Sequence, residues 1–213
     1  KDGLKNSISS SIIMLILILM PISVITSIYA GDIVNIAYGR GSFDSQAVTL
    51  TSSILKYYGL SFVFIAIREV STKLFYAYKD TKTPMINGAI SVALNIISSV
   101  VLSRVMGIAG IALGTTLALF IATILFLVSI KKKIPDLSFT GFRNALYKII
   151  IASSITTVSI IFLKYVSVEF SSFIRFILVT VLGFFIYIGI LYILKCDELI
   201  KINKLFSYLS PFI

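Results

Sequence analysis

The sequence predicts an all-α integral membrane protein with about six transmembrane helices. Three observations carry this. Apolar residues make up 58% of the 213-residue chain and charged residues only 13%, against about a quarter charged in soluble domains. The apolar residues gather in runs long enough to cross a bilayer, which takes about 20 residues. The basic residues fall in short clusters between those runs. A domain of this size with a mean hydropathy of +1.03 has too little polar surface to be solvated by water.

The first run covers 7–28, with no charge between Lys5 and Asp32. Pro21 lies inside it and predicts a kink, because proline removes one helical N–H. The carbonyl it frees must find a donor on a neighbouring helix or on a serine such as Ser23. The second run, 51–78, is interrupted by Arg68, Glu69 and Lys73. The third (84–103) and fourth (108–130) are joined by Arg104, Val105, Met106 and Gly107, a link so short that the two must form an antiparallel hairpin. The fifth is 145–163 and the sixth 173–194. Residues 197–213 alternate apolar and charged and predict an amphipathic helix along the membrane.

Orientation follows from the basic residues in the connections. One side collects thirteen Lys and Arg, including Lys79, Lys82, the run Lys131, Lys132, Lys133, and Lys195. The other collects five: Arg40, Lys56, Arg104, Lys164 and Arg175. Both ends of the chain are therefore expected in the cytoplasm. The Lys131–Lys133 run reads as a topology anchor, with attraction to anionic membrane lipids as the alternative. This distribution also accounts for the net charge of +10 without a nucleic-acid partner, since no basic face interleaved with aromatics stands on a polar domain.

The chain has no histidine and one cysteine, Cys196. That excludes a disulfide framework, a His/Cys metal site and His-based nucleophilic catalysis, and the reading is not an enzyme. Cys196 is expected as an unpaired thiol at the membrane edge, with palmitoylation as the alternative. The chain begins at Lys1 and enters its first apolar run at once, as a piece of a longer protein would.

The stretch FYAYKDTKTP at 75–84 is a polar knot between two apolar runs. Thr83 is placed to N-cap the third helix and Pro84 suits its first turn. Asp80 can accept from amides at the same helix start. Tyr76 and Tyr78 fit an interfacial belt. The knot is thus a capped cytoplasmic turn.

The same stretch resembles the FYA-x-x-D-T-x-TP signature of the bacterial lipid II flippases, the MurJ family, also called MviN. Gly39 to Asp44 (GRGSFD) resembles the family's RGxFD. Tyr58-Gly59-Leu60 resembles its Y-x-GL, Leu94-Asn95 its LN, and Gly107 to Thr115 (GIAGIALGT) its G-x-x-GLALAT. The pieces occur in order over 39–130. The resemblance implies a 14-helix, two-lobe transporter of the multidrug/oligosaccharidyl-lipid/polysaccharide exporter superfamily. It would move lipid II, the lipid-linked peptidoglycan precursor, across the bacterial cytoplasmic membrane by alternating access. Residues 1–130 would be the last four helices of the C-terminal lobe. Residues 131–213 would be two additional transmembrane helices and a cytoplasmic tail. The missing N-terminal helices, which carry the family's main substrate-binding arginines, would be the chain's partner.

Arg68 is the candidate substrate-binding residue. A charge at the bilayer centre costs about 2.5–3.5 kcal/mol on insertion scales, and two adjacent ones point about 100° apart on a helix. Arg68 would line a cavity and meet phosphates. The structural alternative pairs Glu69 with Lys73 at i, i+4 and lets Arg68 snorkel or bond a neighbouring helix. Asn95 and Ser99 share a helix face, and Thr115 starts the next helix. Such oxygens suit a hard cation, and the resemblance implies a sodium ion there, although Ser99 stands where the family has an acid. Interhelical hydrogen bonding is the alternative. Gly110 and Gly114 have the spacing of close helix packing, and Gly183 and Gly189 are read likewise. Competing functions are a flippase for another lipid-linked oligosaccharide, a drug exporter of the same superfamily, and a non-transporting membrane scaffold.

Overall fold

The computed structural model describes residues 2–134, 139–167 and 171–196. All regular structure among them is helical: α1 (Asp2–Ile28), α2 (Ala30–Tyr38), α3 (Ser45–Gly59), α4 (Phe62–Ala77), α5 (Lys82–Met106), α6 (Ile108–Lys133), α7 (Phe139–Val166) and α8 (Ser172–Ile193). Among the described residues five helices are long and apolar enough to cross a membrane, or six where α3 and α4, bent against each other, count as one span. The protein is a multi-pass membrane protein. The expected tail helix at 197–213 lies outside the described residues.

The helices pack in a chain of neighbours. α7 and α8 lie on α1, α1 packs on the α3–α4 span, that span packs on α6, and α5 packs almost wholly on α6. One core joins Ile12, Ile16, Val63, Ile67, Ile149 and Leu191 from α1, α4, α7 and α8. A second, Leu74, Phe75, Phe126 and Ile130, fastens α4 to α6.

Pro21 sits inside α1. It leaves the Leu17 carbonyl without its helical donor. The phenol of Tyr187 on α8, 1% exposed, donates to that oxygen at 3.0 Å. The donor thus comes from a neighbouring helix and not from Ser23, whose hydroxyl is buried without a hydrogen-bond partner.

Helix α2 has no counterpart in the sequence reading. Its nine residues are too few to span a membrane, and it buries only Ala30 and Val34. Asp32 anchors it. The carboxylate receives Lys164 Nζ at 2.8 Å from α7 and Arg175 Nη2 at 3.0 Å from α8. Lys164 also donates to Ile28 O and lies 4.5 Å from the centre of the Tyr29 ring. Burial disfavours the Asp32 carboxylate. The hydrogen bonds from Lys164 and Arg175 outweigh it and hold the acid below the usual carboxylate range.

The second span breaks at Leu60 and Ser61, where its halves bend by 45°. Two threonines of α6 pin the break. Thr116 donates to Tyr57 O at 2.9 Å and Thr123 to Phe64 O at 3.2 Å. Between them the Phe120 ring meets the Phe64 ring edge to face.

Helix α4 closes with Lys79 at φ +56. Asp80 N donates to Phe75 O and Lys79 N to Tyr76 O, the paired bonds of a left-handed C-terminal cap. α8 ends the same way: Lys195 has φ +50, with Cys196 N on Leu191 O and Lys195 N on Tyr192 O. Cys196 is buried within the first core, 1% exposed. The thiol is therefore covered by protein just past the end of α8, which leaves an acyl chain no access to it.

Thr83 is not the N-cap. α5 begins at Lys82, after Thr81, and Asp80 does the capping. Its carboxylate accepts from Thr83 N at 3.0 Å and from the Thr83 hydroxyl at 2.9 Å. The left-handed turn at Lys79 is what brings Asp80 to the helix start. Lys133, at the end of α6, closes the knot with an ion pair to Asp80 at 3.1 Å.

The α5–α6 hairpin is tighter than expected. α5 runs to Met106, so Gly107 alone is the link. Its φ of +60 and ψ of −137 lie in a region that essentially only glycine occupies.

Candidate functional site

The site is built where α4 meets the α5–α6 hairpin. Arg68 on α4 stands at a cleft of about 400 Å³ lined also by Ser91, Asn95 and Ile96 on α5 and Thr115 and Leu119 on α6. The fold thus brings Arg68, Asn95 and Thr115 to one place, although 47 positions separate the first from the last in the sequence. Asn95 lies near the middle of α5, so the cleft opens well inside the span.

The Arg68 guanidinium meets the Glu69 carboxylate, Nη2 to Oε1 at 3.2 Å, with the side chains 35% and 55% exposed. Glu69 takes this neighbour instead of Lys73, the i, i+4 partner that helix periodicity favours. Ser91 was not singled out from the sequence. It is 7% exposed and part of the lining, and its signal was its register one turn before Asn95.

Ser99 donates toward Asn95 Oδ1 and toward Ile111 O, both at 3.4 Å, while Thr115 donates to Ile111 O at 3.0 Å. The three residues named from the sequence therefore form one hydrogen-bonded set across the hairpin. Gly110 and Gly114 make that approach possible. A Cβ on Gly110 would strike the Leu102 carbonyl and lie 2.8 Å from Ser103 N, and one on Gly114 would lie 2.7 Å from Ser99 N. Ser98 donates to Gly114 O at 3.0 Å, and Asn87 to Ser129 Oγ at 3.1 Å. Gly183 gives room to Ile160, whereas a side chain on Gly189 would meet nothing within 4 Å, so that glycine is not needed for packing.

Among the described residues no cluster of His, Cys, Asp or Glu could hold a metal ion. The oxygens of Asn95, Ser99, Thr115 and Ile111 are neutral. The two hydroxyls already donate within the set, and the Arg68 cation shares the cleft.

The family model for the lipid II flippase MurJ matches residues 1–182. The chain belongs to the MurJ family. Its relatives agree along most of its length. It is 24% identical over 207 residues to the probable lipid II flippase MurJ of Bdellovibrio bacteriovorus, covering 96% of this chain and 40% of the relative. It is 27% identical over 203 residues to that of Thermotoga maritima, covering 95% and 40%. A shorter match, 34% identical over 99 residues, joins it to the lipid II flippase MurJ of Thermosipho africanus, covering 46% and 21%. The fold matches a solved MurJ in an inward closed conformation with a TM-score of 0.73 at 24% identity, covering 91% of this chain and 42% of that one. The chain thus spans about two-fifths of the length of the MurJ relatives it matches end to end.

Proposed function

We propose that this chain is the C-terminal part of a flippase that carries lipid II across the bacterial cytoplasmic membrane by alternating access. The remaining helices would be supplied by the rest of the same protein, and both ends of the piece would face the cytoplasm. One observation supports the reading beyond family membership: a single arginine, in a cleft beside the middle of the candidate span α5, with amide and hydroxyl groups around it. Guanidinium is suited to phosphate oxygens, which it can hold through paired N–H donors. A scaffold would gain nothing from placing that charge at membrane depth, where it is costly. In this reading Arg68 meets the substrate's phosphates during passage, and Ser91, Asn95 and Thr115 supply neutral hydrogen-bonding groups beside it.

The Asn95–Ser99–Thr115 set serves here as an interhelical tie. A sodium ion would have to be held by neutral oxygens alone, near a cation, and without the acid that Ser99 replaces. Residues 1–130 act as the closing part of the second transport lobe, and α7 and α8 as its two additional helices.

The test is precursor export by full-length protein carrying Arg68→Ala and Arg68→Lys. Export should fall in the Ala variant and recover partly with Lys, at unchanged membrane insertion. Export equal to the parent protein in the Ala variant would place Arg68 among structural residues and remove the support it gives.

A further inference from the structure

We propose that Glu69 is the resident counter-ion of Arg68, which an anionic substrate group must displace, so that Glu69 sets how tightly the cleft holds its ligand. This rests on the reading that Arg68 receives the substrate's phosphates.

The geometry points to displacement and not to a permanent tie. Residues adjacent on a helix project about 100° apart. For Nη2 and Oε1 to stand 3.2 Å apart, both side chains must swing away from their own directions. The contact is single. One guanidinium N–H is used, and among the described residues Arg68 makes no other side-chain hydrogen bond. Both side chains are partly exposed, so an incoming anion can reach the guanidinium. A phosphate or diphosphate offers the guanidinium two parallel, charge-assisted bonds in their place.

The empty cleft nevertheless needs an anion. An uncompensated arginine at membrane depth is unfavourable, and the three helices that line the cleft contain only one acidic residue, Glu69. Lys73, one turn further along α4, is exposed and offers Glu69 an alternative partner at i, i+4 once a ligand has taken Arg68. Glu69 thus has two stations, Arg68 when the cleft is empty and Lys73 when it is filled. The exchange keeps α4 free of an unpaired acid in both states.

The test measures equilibrium binding of farnesyl diphosphate, with farnesol as the uncharged control, to detergent-solubilised full-length protein. Glu69→Gln should tighten farnesyl diphosphate binding by about 2- to 5-fold, the range that loss of a partly exposed competing ion pair allows, and leave farnesol binding unchanged. Glu69→Ala serves in its place if the Gln variant does not accumulate. Arg68→Gln should weaken farnesyl diphosphate binding, and in that background Glu69→Gln should have no effect. Unchanged or weaker binding in Glu69→Gln, with Arg68→Gln still harmful, overturns the counter-ion role and leaves Arg68 as the phosphate ligand. Tighter binding that persists without Arg68 overturns it too, as a general effect of charge. No effect of Arg68→Gln on binding overturns the underlying reading of Arg68 itself.

Discussion

Tyr187 on α8 donates its hydroxyl to Leu17 O on α1, the carbonyl that Pro21, four residues on, leaves without a helical donor. A defect in one helix is thereby made the attachment point of another. The bond is buried, and in lipid no water replaces it. Tyr187→Phe should lower stability by about 1–2 kcal/mol, the upper range for hydrogen bonds between membrane helices. Pro21→Ala should return an N–H to Leu17 O and shrink that loss. Thermal unfolding of the two single variants and the double variant in detergent reads the coupling. Additive effects would mean that the two residues act separately.

The Asp32 cluster makes a second prediction. Its side chain is 12% exposed and holds two cations. Asp32→Asn leaves Lys164 and Arg175 half-buried and uncompensated, which should cost about 3 kcal/mol, near the lower end for breaking a buried pair. Loosening should begin where α7 and α8 meet α2. Hydrogen exchange at 29–38 and near 164 and 175 checks this. Protection unchanged from the parent would reduce the cluster to surface charge.

Asp80 predicts a pH dependence. The Thr83 amide, then Lys133 and the Thr83 hydroxyl, hold its carboxyl down at about 2 against an ordinary 3.8. A depressed acid stabilises the fold above its unfolded pKa, and that contribution is lost as pH falls through the folded value. The α4–α5 turn should therefore be at full strength above about pH 4 and weaken toward pH 2. Asp80→Asn should be less stable than the parent at pH 6, and the deficit should shrink as pH falls through about 2. A deficit that stays constant over that range would show that the charge is not what matters.

Gly110→Ala should open the hairpin. The added methyl meets backbone atoms of Leu102 and Ser103, which cannot turn aside, and overpacking of this kind costs about 1–3 kcal/mol. Gly189→Ala is the control, since nothing lies within 4 Å of its Cβ position. It should be neutral or gain up to about 1 kcal/mol from helix propensity. Equal thermal midpoints for the two variants would remove the case for close packing at Gly110.

Long-range order in the sequence was legible where one period repeats. The apolar runs marked every span, and the short link at Gly107 marked the hairpin. The break at Leu60 and Ser61 was not legible, because an apolar run continues through it and the bend is fixed by Thr116 and Thr123, far along the chain. α2 escaped for want of length. At the site, charge and amide at membrane depth singled out Arg68, Asn95 and Thr115. Their sharing of one cleft follows from packing that no local spacing encodes. Glu69 went to Arg68 because side chains bend, which a helix-period rule does not anticipate. Lys164 and Arg175 looked like exceptions to the charge bias. Asp32, 132 and 143 positions away, is the counter-charge that accommodates them.

Lys79 and Lys195 end their helices in the left-handed conformation. For a side-chain-bearing residue that costs about 1–2 kcal/mol relative to the right-handed form, and glycine would avoid most of it. What glycine lacks is the charge. Each lysine is thus both the bend at which the chain turns out of its helix and a positive charge at that helix end. Exit point and charge are carried by one residue, so no insertion can move them apart. Where the chain turns and where it is charged are inherited together.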